Sequence, residues 1–251
     1  MELTPKIPSA RLLAVKTMRA LGVNKVAHSI YYKYFHRFDT ANQYALPAIE
    51  QCLRRLGESD PGRSGDYMEF GVFKGYAFWH AQRIARELRL DSTRFFGFDS
   101  FAGLPVPQGV DATPDETFYQ GQYACKKATV EHNLNARGVD WDRTFLIEGF
   151  FAESLTAATR EAYGMERVAL ALIDCDLYES TVQVLAFLEP LLDHGSILIF
   201  DDWNAFDGDD EKGQRRAWRE FLARDERWSA EPWFAYGHYG QVFVLARRGP
   251  S

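Results

Sequence analysis

Short apolar segments alternate with amphipathic segments from Asp66 onward, and this repetition predicts the fold. The apolar runs are typical of buried strands, and the segments between them carry apolar residues at helical spacing. Strands and helices that alternate on this scale predict a parallel, doubly wound α/β sheet covered on both faces. The predicted strands are 67–71, 94–98, 144–147, 168–173 and 196–200, and the predicted helices are one ending at Arg86, then 128–137, 153–163, 180–192 and 214–224.

The end of the chain has a different pattern. Two aromatic-rich stretches, 232–236 and 241–246, are joined by Gly237-His238-Tyr239-Gly240, which is too short for a crossover helix. Strands joined by so short a link pair as an antiparallel hairpin. The prediction is therefore a mostly parallel, seven-stranded sheet with an antiparallel C-terminal hairpin at its edge.

The first 60 residues lack this alternation. Helical spacing of apolar residues predicts an amphipathic helix at 9–21 and a second helix at 41–56, with an aromatic-rich stretch between them. We interpret 1–60 as a helical extension that makes substrate or dimer contacts, and 61–251 as the main domain. We accordingly expect a homo-oligomer, a dimer or larger. The basic face of helix 9–21 leaves a membrane-surface role as an alternative.

Composition narrows the class of protein. A formal charge of -6 and a pI near 5.6 over 251 residues argue against a nucleic-acid partner, which requires a basic patch. The three cysteines are far apart and form no CxxC pair, so a reduced, cytoplasmic protein is expected. No apolar run approaches the length of a membrane span, and charged residues and prolines interrupt any signal-peptide core near the N-terminus.

Four aspartates are the most informative polar residues. Asp174 and Asp176 follow one predicted strand, and the pair Asp201-Asp202 follows the next. The carboxyl ends of parallel strands meet at one rim of the sheet, where open α/β sheets bind ligands. Two unit charges about 4 Å apart interact by roughly 4 kcal/mol at an effective dielectric near 20. Such a cluster requires a cation or protons, and the cation hypothesis leads to an enzyme.

The first two strand ends indicate the cofactor. Glu69, Gly71 and Gly75 lie where the first strand turns into a helix, but their spacing lacks the glycine fingerprint of dinucleotides. Glu69 would repel a pyrophosphate and attract a cationic ligand. Asp99 ends the second strand, where a carboxylate accepts from both ribose hydroxyls, although capping a turn is the simpler role. An adenosyl ligand with a cationic amino acid end fits both acids, and that ligand is S-adenosylmethionine.

Five motifs in order resemble one family. They are Glu69-x-Gly-x-x-x-Gly, Phe98-Asp99-Ser100-Phe101-x-Gly-Leu-Pro, Glu148-Gly149-Phe150-Phe151, Asp174-x-Asp176-Leu-Tyr-x-Ser-Thr and Asp201-Asp202. Together they resemble the macrocin-type (TylF-like) O-methyltransferases over about 67–244. The resemblance implies a class I methyltransferase (Rossmann-like) fold, S-adenosylmethionine, a divalent metal usually taken as Mg²⁺, and a hydroxyl acceptor, often a deoxysugar on an antibiotic or a related glycan. The Pro-Gly-Gly that often precedes the fifth strand in the family is replaced by Asp193-His194-Gly195.

The resemblance also implies residue roles. Glu69, Gly71 and Gly75 would hold the methionine part of the cofactor, with Asp174 beside them. Asp99 and Ser100 would hold the ribose, and Glu148, Gly149 and Phe150 would line the adenine site. Asp174, Asp201 and Asp202 would bind the metal, and Asp176 matches the residue usually proposed as the general base.

The chemistry expected of this set is methyl transfer to a hydroxyl. Mg²⁺ binds oxygen ligands and keeps open positions, so it could orient a diol and lower the pKa of one hydroxyl while an aspartate removes the proton. Residues 103–123 are long enough to form a lid over the site. Tyr178, Trp203 and His238 are candidate substrate contacts, although packing explains the first two nearly as well.

Two other functions stay open at this point. A catechol-type O-methyltransferase would use the same metal, because an aromatic diol could take the place of a sugar. A protein that binds S-adenosylmethionine without catalysing transfer would keep the fold and lose the metal chemistry, which the presence of all four aspartates disfavours.

Overall fold

The computed structural model describes residues 43–59, 65–112 and 118–248, together with residues 17, 23, 26–27 and 30–31. Most of the predicted helix 9–21 and of the aromatic-rich stretch after it lies outside the described residues. The same holds for 113–117 of the predicted lid, and for 41–42 of the second predicted helix.

Seven strands form a single sheet in the order β3-β2-β1-β4-β5-β7-β6. The first five are parallel, and β7 runs antiparallel to both β5 and β6. The predicted doubly wound sheet with an antiparallel hairpin is confirmed. The strands are β1 (Asp66–Phe70), β2 (Phe95–Asp99), β3 (Thr144–Glu148), β4 (Val168–Ile173), β5 (Ile197–Phe200), β6 (Trp228–Tyr236) and β7 (Gly240–Arg247).

Helices cover both faces of this sheet. One face is packed by α1, α2 and α3, and the other by α6 and α7. Alternate residues of each strand enter the two cores, so that Phe70 and Phe98 lie in one and Tyr67 and Phe95 in the other. The helices are α1 (Ala45–Ser59), α2 (Tyr76–Glu87), α3 (Lys127–Asn135), α4 (Phe151–Ser154), α5 (Ala157–Ala162), α6 (Tyr178–Leu188) and α7 (Gly213–Arg224).

Helix boundaries differ most from the predicted ones in two places, while the predicted helices 41–56 and 128–137 are Ala45–Ser59 and Lys127–Asn135. The predicted helix 153–163 is two short helices, because Thr156 leaves helical geometry and its side chain accepts from the Thr159 amide to begin α5. The predicted helix 180–192 begins two residues earlier, at Tyr178. It ends at Leu188 and is followed by a 3₁₀ turn, Glu189–Leu191, that contains Pro190. Proline has no N–H to continue an α-helix, which accounts for the change.

The strand register brings the predicted site residues to the same level. Phe70 pairs with Ile173, and Ile173 pairs with Phe200, so the residues that follow these strands meet at the carboxyl rim. Gly71 adopts φ +97°, and a Cβ there would lie 1.9 Å from the Asp174 carbonyl oxygen. Only glycine permits this close approach of β1 and β4. Among the described residues, no helix is both long and apolar enough to cross a membrane.

Candidate functional site

Asp174, Asp201 and Asp202 converge at the carboxyl rim. One carboxylate oxygen from each lies within 4.8 Å of the other two. Asp174 directly follows β4 and Asp201 directly follows β5, and their amides donate to Phe70 O (2.9 Å) and Ile173 O (3.1 Å). The backbone of the sheet therefore fixes the three acids that the sequence places in one cluster.

Burial and mutual repulsion disfavour the charged forms of these acids. Desolvation is the main cause that raises the pKa of Asp174 well above its usual range, and the charges of Asp201 and Asp202 add to it. The pKa of Asp202 is likewise raised by burial first and then by Asp176 and Asp201. Among the described residues, no salt bridge involves Asp174, Asp176 or Asp202. The cluster is thus an anionic site that favours either protons or a cation.

Asp176 lies beside this cluster in a strained backbone conformation. Its φ is +60°, in the left-handed region that few residues other than glycine adopt and in which aspartate is among the better tolerated, and it is almost fully buried. Its amide donates to Asp202 Oδ2 at 3.0 Å, a bond that helps hold the turn. Burial, followed by the charge of Asp201, raises the pKa of Asp176 to about 7. A carboxyl group with that pKa can exchange a proton near neutral pH.

Two buried side chains hold the aspartates from behind. Tyr236, at the end of β6, donates its hydroxyl to Asp201 Oδ1 at 2.7 Å. Gln214, on α7, accepts from the Asp202 amide at 3.0 Å through Oε1 and donates to Ile173 O at 2.9 Å through Nε2. Gln214 thereby links the end of β4 to the end of β5.

Two adjoining cavities open on this rim. The larger, of about 550 Å³, lies between the 103–111 segment, the start of α4 and the start of α6. The smaller, of about 240 Å³, contains the aspartate cluster. Gly71, Asp99 and Asp174 line both cavities, so one ligand could extend across the boundary. The smaller cavity is also lined by Ala45, Leu46, Glu69, Val72, Phe73, Tyr76, Ala77, Tyr123, Asp176, Asp201 and Asp202.

Glu69 faces the smaller cavity from the interior of β1. It is 1% exposed, and the buried Tyr67 hydroxyl donates to its Oε2 at 2.6 Å. Burial raises the pKa of Glu69 to about 8, and the Tyr67 hydrogen bond opposes this shift. A cationic ligand in the cavity would favour the carboxylate form.

The Asp99 carboxylate already has backbone partners. Its Oδ2 accepts from the amides of Val72 (2.8 Å) and Phe73 (2.9 Å), and its Oδ1 accepts from Phe101 (2.7 Å). These bonds connect the β1 turn to the β2 turn at the boundary of the two cavities. The Ser100 hydroxyl lines the larger cavity but donates to Gly103 O at 2.8 Å. Asp99 thus stabilises a turn and faces both cavities.

The other predicted cofactor residues are divided. Phe150 lines the larger cavity, whereas Glu148 is exposed and lies 3.7 Å from Lys127 Nζ. Gly149, with φ +140°, packs against Ser154, and Gly75 faces Val130 and Leu134 of α3. The side of Gly75 that would carry a Cβ therefore faces a helix contact. Neither Gly75, Glu148 nor Gly149 lines either cavity.

The predicted lid is anchored where the structure describes it. Asp111, 1% exposed, accepts from the first amides of α6, Tyr178 N at 2.7 Å and Glu179 N at 3.1 Å. Burial raises the pKa of Asp111, and these two hydrogen bonds oppose the shift. On the far side of the segment, the Phe118 ring packs 5.8 Å from that of Phe206, in the loop after β5. The segment thus contacts both loops that carry the aspartates.

The three candidate substrate residues have side chains engaged elsewhere. Tyr178 donates to Glu220 at 2.6 Å on α7, and Trp203 packs between Phe200 and Phe243. The His238 ring lies 5.9 Å from that of Tyr44. None of the three lines either cavity.

Tyr236, Gln214 and Asp111 were not identified from the sequence. Each acts on a partner at least 12 residues away, so no local motif marks it. A weak signal for Tyr236 existed in the glycine that ends the hairpin turn. Tyr236 pairs with Gly240 across the hairpin, and a Cβ at Gly240 would lie 2.2 Å from the tyrosine ring.

The fold and its rim define a class of protein, a doubly wound sheet with a 3-2-1-4-5-7-6 strand order and an acidic cluster at its carboxyl edge. A family model described as macrocin-O-methyltransferase (TylF) matches residues 42–232, more than half of the chain. The chain belongs to this family of S-adenosylmethionine-dependent O-methyltransferases, and the resemblance carried by the five motifs is confirmed.

Curated relatives are similar over somewhat less than two thirds of the chain. Mycinamicin III 3''-O-methyltransferase of Micromonospora griseorubida is 29% identical over 161 residues, 62% of this chain. The 8-demethyl-8-(2,3-dimethoxy-alpha-L-rhamnosyl)-tetracenomycin-C 4'-O-methyltransferase of Streptomyces olivaceus is 30% identical over 162 residues, 63% of this chain. The matched region spans 59% of the length of each of these relatives.

Solved structures support the class I methyltransferase fold. The O-methyltransferase NovP superposes with a TM-score of 0.67 at 24% identity, covering 81% of this chain and 80% of that one. CalS11, a calicheamicin methyltransferase, gives 0.66 at 23% identity, covering 98% and 95%. At these identities the likeness establishes the fold alone.

Proposed function

We propose that this protein is an S-adenosylmethionine- and Mg²⁺-dependent O-methyltransferase that methylates a hydroxyl of a sugar, in a glycosylated natural product or a glycan. The observation that carries the proposal is the convergence of Asp174, Asp201 and Asp202 in a cavity that adjoins a second, larger one. Family membership supports the reaction class, and the two adjoining cavities support binding of a cofactor and an acceptor side by side.

The cofactor would extend across the boundary between the cavities. S-adenosylmethionine would supply the methyl group from its sulfonium. Glu69 and Gly71 would hold its amino acid end in the smaller cavity, and Asp99 would accept from the ribose hydroxyls at the boundary. Phe150 lies in the larger cavity, where an adenine ring would contact it.

The acidic cluster fits a hard divalent cation. The possible metal ligands of the cluster are all carboxylate oxygens, and one oxygen from each of the three aspartates lies within 4.8 Å of the other two. All three aspartates line the smaller cavity. Mg²⁺ prefers oxygen ligands and keeps positions for water or substrate. Bound there, it would supply positive charge that orients an acceptor hydroxyl and lowers its pKa.

Asp176 is the proposed general base. It lines the smaller cavity beside the cluster, and its backbone N–H donates a hydrogen bond to Asp202 Oδ2 that holds the backbone at this place. Asp176 would accept the hydroxyl proton as the oxygen attacks the methyl carbon. Holding the oxygen, carbon and sulfur in line within a closed cavity would supply much of the rate acceleration.

A sugar acceptor is favoured by the relatives. The Streptomyces olivaceus protein is named for a rhamnosyl tetracenomycin, and it is 30% identical to this chain over 162 residues. The segment 1–60 would contribute to acceptor binding, because Ala45 and Leu46 at the start of α1 line the smaller cavity. The remainder, 61–251, would be the methyltransferase domain.

A panel assay tests the proposal. Purified protein is incubated with S-adenosylmethionine, Mg²⁺ and two sets of acceptors, glycosides and catechols, and products are followed by mass spectrometry for the gain of one methyl group. We expect methylated glycosides to form, and we expect their formation to stop when EDTA removes the metal. Turnover of catechols alone would favour the catechol-type alternative. Tight cofactor binding with no transfer and no Mg²⁺ effect would identify a binding protein instead.

A further inference from the structure

Tyr236 contacts the three-aspartate cluster, although it belongs to none of the five sequence motifs. It is 2% exposed, and its hydroxyl donates to Asp201 Oδ1 at 2.7 Å. We infer that Tyr236 is a positioning residue that fixes the Asp201 carboxylate for cation binding, an inference that rests on the proposed metal site.

The hydrogen bond restrains the Asp201 carboxylate at one oxygen. Asp201 is partly exposed at the cavity and its side chain has only two rotatable bonds, so the hydroxyl contact at Oδ1 favours the orientation in which that oxygen faces the Tyr236 ring. Partners that hold a metal-binding carboxylate by a hydrogen bond fix its orientation and tune its affinity. Tyr236 does not itself line the smaller cavity, which agrees with an action through Asp201.

The hairpin is built to place this ring. Tyr236 ends β6 directly opposite Gly240, the first residue of β7. An added Cβ at Gly240 would lie 2.2–2.4 Å from three atoms of the ring, so the ring lies flat against the glycine. Any larger residue at position 240 would displace the ring, and with it the hydroxyl that contacts Asp201.

A second buried tyrosine supplies a matched control. The Tyr67 hydroxyl donates to Glu69 Oε2 at 2.6 Å, and Glu69 does not belong to the three-aspartate cluster. Both rings are almost fully buried, and both hydroxyls contact a carboxylate at the rim. Removal of the Tyr236 hydroxyl therefore deletes a hydrogen bond to a proposed metal ligand, Asp201. Removal of the Tyr67 hydroxyl deletes an equivalent bond to a proposed cofactor-binding residue, Glu69.

The experiment measures binding of Mn²⁺ and of cofactor separately. Free Mn²⁺ is counted by electron paramagnetic resonance during titration of the full-length protein, and S-adenosylmethionine affinity is measured by calorimetry without metal. Tyr236→Phe is expected to weaken Mn²⁺ binding roughly 10- to 100-fold while cofactor affinity stays within a few fold. Tyr67→Phe is expected to leave Mn²⁺ affinity unchanged.

Gly240→Ala gives an independent variant that keeps the hydroxyl and displaces the ring, and it is expected to weaken Mn²⁺ binding as well. Retained cofactor binding reports that Tyr236→Phe and Gly240→Ala are folded, and far-UV circular dichroism reports it for Tyr67→Phe, whose lost hydroxyl contacts the proposed cofactor residue Glu69. Wild-type affinity for Mn²⁺ in Tyr236→Phe, with the unsubstituted protein binding the ion, would overturn the inference and leave the proposed function standing. Failure of the unsubstituted protein to bind Mn²⁺ would refute the metal site itself.

Discussion

At the scale of single residues, the site depends on acids that the protein stabilises poorly on its own. Desolvation raises the pKa of Asp174, Asp176 and Asp202, and their repulsion adds to it. Groups with pKa values shifted in this way are common at functional sites, because a bound ligand or a reaction there provides the opposite charge or the proton that the fold does not. Two substitutions separate the roles proposed for these acids.

Asp201→Asn is expected to abolish nearly all transfer while cofactor affinity stays within a few fold. The amide keeps the shape of the side chain but loses the negative charge that a cation requires. Activity and S-adenosylmethionine binding are measured on the same preparation. Asp209→Asn, at a partly exposed position in the loop that follows, is the control and should keep the activity of the unsubstituted protein. Full activity of the unsubstituted protein after chelation would contradict the metal site.

Asp176→Asn is expected to lower the rate of methyl transfer strongly while the protein still binds the cation. Removal of a general base typically lowers the rate about 10²- to 10⁴-fold. Asp176 does not belong to the three-aspartate cluster, so Mn²⁺ affinity should change little. Turnover is compared with Mn²⁺ titration, and a variant that retains its rate within a few fold would exclude Asp176 as the base.

The sequence predicted the four aspartates and their common rim from local patterns alone. Each follows an apolar run, and strand ends in a parallel sheet share an edge. The substrate roles of Tyr178 and Trp203 rested only on their position next to an aspartate in the chain. Neighbouring residues at a strand end or helix start point in different directions, and here both side chains pack against α7 or β7 residues instead.

At the scale of elements, Asp111 connects the 103–111 segment to α6. Its two oxygens accept from the first two amides of the helix, as an N-cap side chain would, although it lies 67 residues away from Tyr178 in sequence. This contact holds the segment over the larger cavity. The dipole of α6 stabilises the negative charge of a carboxylate at this end of the helix.

Asp111→Asn is expected to lower the free energy of unfolding by about 1 kcal/mol, as loss of a helix cap does. One of the two amides keeps an acceptor, but the charge is lost. For a chain of this size the melting temperature should fall by roughly 2–4 °C, and the KM for S-adenosylmethionine should rise. Calorimetry and initial rates measure both. Asp142→Asn, an exposed acid before β3, is the control, and equal effects in both variants would contradict the anchor.

Strand positions were predicted well because buried parallel strands are short apolar runs with little ambiguity. Helix ends were less accurate at Thr156 and Pro190, where side-chain capping and a missing N–H override apolar spacing. The hairpin is longer than predicted, since β6 begins at Trp228 and β7 ends at Arg247. The additional residues of β6, from Trp228 to Glu231, pair with β7 residues Val244 to Arg247, so pairing between the two strands extends the hairpin beyond its most aromatic residues.

At the scale of the whole molecule, the acidic cluster should link cation binding to stability. Folded Asp174 and Asp202 hold protons more tightly than they do in the unfolded chain. Without metal, their contribution to stability is therefore present at low pH and is lost as the pH rises above the ordinary carboxylate range. A bound cation replaces the protons and removes this loss.

Mg²⁺ is accordingly expected to raise the melting temperature, and more so at pH 8 than at pH 6, where protons compete for the same oxygens. At a free concentration 100 times the Kd, one bound ion stabilises the folded state by about 2.7 kcal/mol. Differential scanning fluorimetry with Mg²⁺ and with EDTA at both pH values measures this. Asp201→Asn should lose most of the shift, and a shift independent of both pH and Asp201 would indicate binding elsewhere.

The hairpin that carries Tyr236 also bears on how the site is assembled during folding. Strands β6 and β7 come after all the aspartates in the chain, and Tyr236 reaches back 35 residues to Asp201. Synthesis proceeds from the N-terminus, so these two strands become available only after the strands that carry the aspartates. A nascent chain that has already built β1, β4 and β5 would thus hold an acidic cluster whose geometry is still loose. Full affinity for the cation would then arise only when β6 and β7 pair, because the Tyr236 ring then packs on Gly240 and its hydroxyl contacts Asp201.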